Sequence, residues 1–201
     1  PVFDWAGSKN ISRTEIGWPA PHRFTFADLD NIGYKNHVTF PIKVYPQQTN
    51  ASVDAALKVD LLVCSDICVP ESHHLTLSLP AGAAEASDDA AIYKTSLTTL
   101  PTQENDHFFF RKASLTVDQD NRNMMIIDVS TPSAPSGKGD LFIEHASGIT
   151  FGAPTMVYDA EAKRATFTVP LHATEPLEEL RAKLHGDKIT FTYVDGEKSI
   201  E

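Results

Sequence analysis

Long apolar runs are missing from this chain. None approaches the roughly 20 consecutive apolar residues that a membrane-spanning helix needs. Positive charge is scarce as well: Lys and Arg number 17 against 27 Asp and Glu, for a formal net charge of −10. That balance argues against nucleic acid or an anionic membrane as a partner. There is no phosphate-binding loop, no nucleophile elbow and no pair of carboxylates in a catalytic context. No secretory signal opens the chain, which begins at Pro1 without Met, and the expectation is of a processed or trimmed chain. Cysteine is nearly absent: Cys64 and Cys68 are the only two in 201 residues. Hydrophobic residues make up 41%, enough for one large or two small domains.

The two cysteines lie in the run Leu61-Leu62-Val63-Cys64-Ser65-Asp66-Ile67-Cys68-Val69-Pro70. Four residues of straight strand would hold their Cα atoms roughly 13 Å apart. A disulfide needs them within about 7 Å. A bridge therefore requires a turn across Ser65-Asp66-Ile67. Before it, Leu57, Val59, Leu61 and Val63 alternate with Lys58, Asp60 and Leu62; after it, Leu75, Leu77 and Leu79 alternate with Thr76 and Ser78. Both runs read as strands with one buried face, and a three-residue loop is a common hairpin connection. The hairpin places Cys64 opposite Cys68 at about 4.5–5.5 Å. Pro70 and the β-rich flanks disfavour a helix there.

A loop this small gives a disulfide roughly 2 kcal/mol of chain-entropy stabilisation, against about 4 for a loop of fifty or so residues. The pair is thus a weak staple at a reachable tip, and thiol–disulfide exchange is the chemistry it suits. An inert bridge, or two free core thiols, is the alternative. Such a pair fits an oxidising compartment and a cytosolic redox motif equally well.

Strand-like runs fall at 11–17, 37–45, 55–64, 73–79, 113–118, 123–130, 140–145, 155–159, 164–170 and 188–194. Their turn-punctuated spacing predicts antiparallel sandwiches. Ser87-Asp88-Asp89 predicts a helix N-terminus, with the helix running to about Leu100 before Pro101. Glu175 to Leu184 predicts a second helix ending at Gly186. The expected organisation is mainly β, with two immunoglobulin-like antiparallel sandwich units. The first spans 1–82 and carries the cysteines, a helical linker spans 83–103, and the second unit spans 104–201. The first unit offers about four strands where such a sandwich wants about seven, so N-terminal strands are expected to be missing or its edge covered by something else.

Several segments carry a resemblance: Trp18-Pro19-Ala20-Pro21, Gly33-Tyr34, Phe40-Pro41-Ile42-Lys43-Val44, Leu62-Val63-Cys64, Cys68-Val69-Pro70-Glu71 and Leu75-Thr76-Leu77-Ser78-Leu79-Pro80. In order and spacing they resemble the periplasmic N-terminal domain of DsbD-type protein-disulfide reductases. The three-residue cysteine spacing is similar to the ScsB branch, linked to suppression of copper sensitivity. The resemblance implies an immunoglobulin-like periplasmic domain of an inner-membrane protein. Electrons would reach it from membrane and thioredoxin-like domains of the same polypeptide and pass to periplasmic thioredoxin-fold partners. It also implies roles. Cys68 would form the mixed disulfide and Cys64 would resolve it. A cap over the sulfurs would map to residues 28–34, with Phe24, Phe26 or Tyr34 as cover and Asp28 or Asp30 acting on protonation. Tyr34 reads equally well as a core aromatic.

Asp66, between the cysteines, would raise a nearby thiol's pKa, or is a plain turn residue. Ile67, Val69 and Pro70 are candidate partner-docking residues, with core packing the alternative for Val69. No cofactor is required. His73 and His74 follow the cysteines, but adjacent strand residues point to opposite faces, which disfavours a shared metal site. Asp118-Gln119-Asp120-Asn121 lacks the later calcium-loop ligands and reads as a hairpin turn. Asn10-Ile11-Ser12 and Asn50-Ala51-Ser52 fit a glycosylation pattern common by chance. The run Phe108-Phe109-Phe110 reads as packing between the two units. The rival readings are a copper(I)-binding module and a non-catalytic interaction domain with a structural disulfide.

Overall fold

A computed structural model describes residues 1–26, 29–65, 67–83, 85–137, 139–145, 148–196 and 198–201. In chain order the first strands are β1 (Val2–Asp4), β2 (Ile11–Ile16), β3 (His22–Phe26), β4 (Leu29–Gly33), β5 (Ile42–Pro46), β6 (Val53–Cys64) and β7 (Cys68–Leu79). Helix α1 (Ala90–Leu97) follows. Then come β8 (Phe109–Val117), β9 (Asn123–Ser130), β10 (Asp140–Glu144), β11 (Thr150–Phe151), β12 (Thr155–Asp159) and β13 (Arg164–His172). Helix α2 (Leu177–Leu184), β14 (Thr190–Asp195) and β15 (Lys198–Ile200) complete the chain. The protein is mostly β, and every pairing between these strands is antiparallel.

Contacts divide the chain into two compact units. The first joins Pro1–Gly17 to Phe40–Leu97; the second joins Trp18–Thr39 to Thr98–Glu201. Residues 18–39, which the sequence groups with the first unit, thus make their contacts with the second. The reason is long-range. The Arg23 guanidinium lies 3.2 Å from the Asp140 carboxylate, donates to the Leu141 carbonyl and stacks over the Phe142 ring. Helix α1 groups with the first unit. Its first amides, from Ile92 and Tyr93, donate to the Asp89 carbonyl, and it ends at Leu97, short of the expected Leu100.

In the first unit β1, β6 and β7 form one sheet in that order, and β2 pairs with β5. The alternation in β6 buries Leu57 and Val59 on one face. Phe3 of β1 pairs opposite Val59 and meets the Phe40 ring edge-on at 5.5 Å. Three strands against two leave part of the core face uncovered. Leu75, Leu77 and Leu79 of β7 share that face, yet all three are exposed. Asn10, at φ 58°, anchors the start of β2. Its amide donates to the carbonyls of Gln48, Ala51 and Ser52 and accepts from the Gln48 N–H, which ties β2 to the loop before β6.

The second unit holds the large core. Strand β9 buries Met125, Ile127 and Val129 and β13 buries Ala165, Phe167, Val169 and Leu171, each by strict alternation. Leu141 of β10, Tyr193 of β14, Ile200 of β15 and Leu180 and Leu184 of α2 join the same cluster. Phe167 meets Tyr193 at 5.4 Å, so side chains of the two sheets touch across the sandwich. The aromatic run at 108–110 belongs here: Phe108 packs on Tyr193 and Phe110 on Phe191, both at 5.5 Å and both inside the second unit. The β8–β9 connection is the hairpin turn expected at 118–121. Asp118 accepts from the Asp120 and Arg122 amides and from the Arg122 guanidinium.

Candidate functional site

Strands β6 and β7 pair without a register shift from Val53↔Leu79 to Cys64↔Cys68. The cysteines are therefore the last rung of a hairpin whose two strands have twelve residues each. Their Cα atoms are 4.1 Å apart and their sulfurs are bonded at 2.09 Å. Ser65 N–H donates to the Ile67 carbonyl at 3.1 Å and closes the three-residue loop. Pro70 lacks an amide donor, which β7 tolerates because it is the last strand of its sheet.

The parity of the ladder decides what the bridge faces. Leu57 and Val59 point into the core, so Cys64, an odd number of residues away, lies on the opposite face. Strand β1 pairs only with Lys58 to Asp60 of β6. Beyond Asp60 the hairpin runs on as a two-stranded ribbon for roughly 13 Å. Both cysteines are exposed at its end. On the same face, one step back, Leu62 lies opposite Pro70 and is 67% exposed. Ile67 in the loop is 70% exposed, and Val63 and Val69, paired on the other face, are exposed too. Ile67, Val69 and Pro70 thus gather around the bridge. The sequence reading passed over Leu62 and Val63. The signal was there: Leu62 is an apolar residue in the polar-face positions of β6, after Lys58 and Asp60.

Charges near the ribbon tip are mostly acidic. Asp60 is held by the Lys58 ammonium at 2.8 Å, and hydrogen bonds from Lys58 and then Ser72 hold its carboxyl below the usual carboxylate range. Glu71 lies 2.9 Å from His73 Nε2. His74 faces the other side of the strand, opposite Lys58, so the two histidines diverge. Among the described residues no group of three His, Cys, Asp or Glu could hold a metal ion.

The candidate cap is partly described. Asp28 and Asp66 lie outside the described residues. Asp30 is exposed on β4 opposite Thr25. Tyr34 is half-buried and donates to the Pro19 carbonyl at 3.0 Å; burial, and secondly the Glu144 charge, push its phenol up to about 12. Residues 30–34 make their contacts within the second unit.

Residues 1–80 match the family model described as thiol:disulfide interchange protein DsbD, N-terminal. Residues 99–201, just over half of the chain, match a domain of unknown function, DUF8393. The chain belongs to the DUF8393 family, and its first 80 residues are similar to the DsbD N-terminal domain. No curated protein and no solved structure matches it. The DsbD N-terminal match spans the whole β6–β7 hairpin and both cysteines and ends one residue beyond β7. It also takes in residues 18–39, whose contacts lie with the DUF8393 unit. The bridge therefore lies on the segment whose family is named for thiol:disulfide interchange. Among the described residues no helix is long and apolar enough to cross a membrane.

Proposed function

We propose that this chain relays reducing equivalents through Cys64 and Cys68, as the periplasmic module of a DsbD-type reductase of the ScsB branch. The observation that carries the reading is a disulfide at the bare tip of a ribbon, on the face opposite the core, within the DsbD N-terminal match. A visiting thiolate needs a line of approach to one sulfur and room for the other to leave. An exposed terminal rung supplies both.

The exchange runs in two steps. In the reduced chain the Cys68 thiolate attacks one sulfur of a partner disulfide, and the partner's other sulfur leaves as a thiolate and takes a proton. The Cys64 thiolate then attacks Cys68 of the mixed disulfide. The Cys64–Cys68 bond forms, the partner departs as a dithiol, and two electrons and two protons have moved to it. Thioredoxin-like and membrane domains of a longer polypeptide would restore the reduced pair, and oxidised thioredoxin-fold proteins would receive the electrons. Asp28, Asp30 and Tyr34 as a cap, and Asp66 as a brake on thiolate formation, belong to this proposal and rest on the resemblance alone.

Titration in glutathione or dithiothreitol buffers tests the reading. A relay shows a reversible two-electron couple with a potential above the roughly −300 mV of inert bridges. Cys64→Ala leaves Cys68 without its resolving thiol and should accumulate a stable mixed disulfide with an oxidised thioredoxin-fold client. A bridge that resists reduction to below roughly −300 mV, together with no recoverable adduct, would end the proposal.

A further inference from the structure

The surroundings of the bridge restrict what it can dock. We infer that its partners present their reactive sulfur in an apolar patch bordered by lysine or arginine. This rests on the relay reading and adds the chemistry of the client.

Two features of the ribbon support it. The first is apolar surface on the sulfurs' own side. Leu62 and Pro70 form the rung next to Cys64 and Cys68, about 7 Å away along the strands. Ile67 projects at the loop between the sulfurs. These residues are largely exposed where they are, so a partner that covers them removes apolar area from water while its sulfur reaches the bridge.

The second is the sign of the charge. Between positions 58 and 74 the acids are Asp60, Asp66 and Glu71, and the single Lys or Arg is Lys58. Lys58 and Asp60 pair at 2.8 Å and cancel one another, so this stretch of three acids and one Lys carries a net charge of −2 with its histidines neutral. Asp60 shares the face of the sulfurs, one same-face rung beyond Leu62↔Pro70, and Glu71, paired with Leu61, lies on the other face beside Pro70. Both lie within roughly 15 Å of the bridge along the strands, one to two screening lengths at physiological salt. Charges at a rim act on encounter more than on final affinity. A basic border on the partner speeds approach, and an acidic one slows it. The same cations lower the pKa of the partner's thiol and so improve it as the leaving group of the first exchange step.

Two peptides of equal length test this. Each carries one intramolecular disulfide beside a leucine, one flanked by lysines and the other by glutamates. The whole chain, reduced at Cys64 and Cys68, is mixed with each, and each rate is divided by that for dithiothreitol with the same peptide, which removes the intrinsic reactivity of the peptide bond. The lysine peptide should be reduced roughly three- to tenfold faster at about 20 mM salt, and the preference should shrink below about twofold at 0.5 M. Glu71→Lys should narrow the gap. Leu62→Ser should slow both peptides alike and leave the salt dependence unchanged. Equal normalised rates at low salt, or a preference for the glutamate peptide, would overturn the inference while leaving the relay intact. Unchanged rates in Leu62→Ser would overturn its apolar half. No exchange with either peptide would overturn the relay itself.

Discussion

Reducing the Cys64–Cys68 bond should cost the first unit little. The bond closes a loop of between three and five residues, depending on how the ends are counted. The chain-entropy relation then gives about 1.6–2.1 kcal/mol at 25 °C. The hairpin keeps its other rungs down to Val53↔Leu79, so the strands remain together when the sulfurs separate. Trp5 lies in the first unit and Trp18 in the second, so Trp18→Phe leaves one fluorescent reporter on the unit that matters. Urea titrations of that variant, oxidised and in excess dithiothreitol, should differ by no more than about 2 M in midpoint at a slope of about 1 kcal/mol/M. Both should remain cooperative. A loss of roughly 4 kcal/mol, the value for a bridge across fifty or so residues, or a reduced protein without a Trp5 transition, would show that the bond holds the fold. A carrier that unfolds at each turnover is no carrier, and the relay would go with it.

Other expectations follow from the second unit. Phe167→Ala empties the centre of its sandwich and should cost about 3–5 kcal/mol, read by thermal unfolding; a loss below about 1 would mean the core closes over the gap. Tyr193 is buried, and among the described residues its hydroxyl has no hydrogen-bond partner. Tyr193→Phe should therefore change stability by less than about 1 kcal/mol or raise it, whereas a loss above about 2 would reveal a partner. Burial raises the phenols of Tyr34 and Tyr193 above the ordinary 10.0, Tyr34 to about 12. Both favour the folded state fully below the unfolded value, and that contribution is lost as pH rises towards the folded values. Absorbance at the tyrosinate band, compared with Tyr34→Phe and Tyr193→Phe, should show these two phenols ionising late, and ionisation of both near 10.0 would contradict the burial.

The sequence was most readable where one face of a strand is deeply buried. Strand β9 falls on the predicted 123–130, since Met125, Ile127 and Val129 alternate without a break. The sulfur pair and its three-residue turn were legible because disulfide geometry allows few ways to join neighbours. Strand β7 is predicted to begin at His73 and begins at Cys68. Its first residues include Pro70 and Glu71, poor strand formers, and pairing with β6 imposes the extended form on them. Strands β1, β3, β4, β11 and β15 have two to five residues each, too few for a period to show. The allegiance of residues 18–39 was hidden for another reason. It depends on Arg23 reaching Asp140 across 117 positions, and no local pattern announces that.

Strand β7 ends its sheet, and among the described residues nothing pairs with its outer side. Its last five residues, Leu75-Thr76-Leu77-Ser78-Leu79, carry no charge and no proline and leave three leucines bare. Such a segment is a template for stacking like copies into fibrils. Preparations of the whole chain should accordingly precipitate or seed thioflavin-positive aggregates as concentration rises, and a single Leu77→Lys gatekeeper should suppress this without touching the sulfurs.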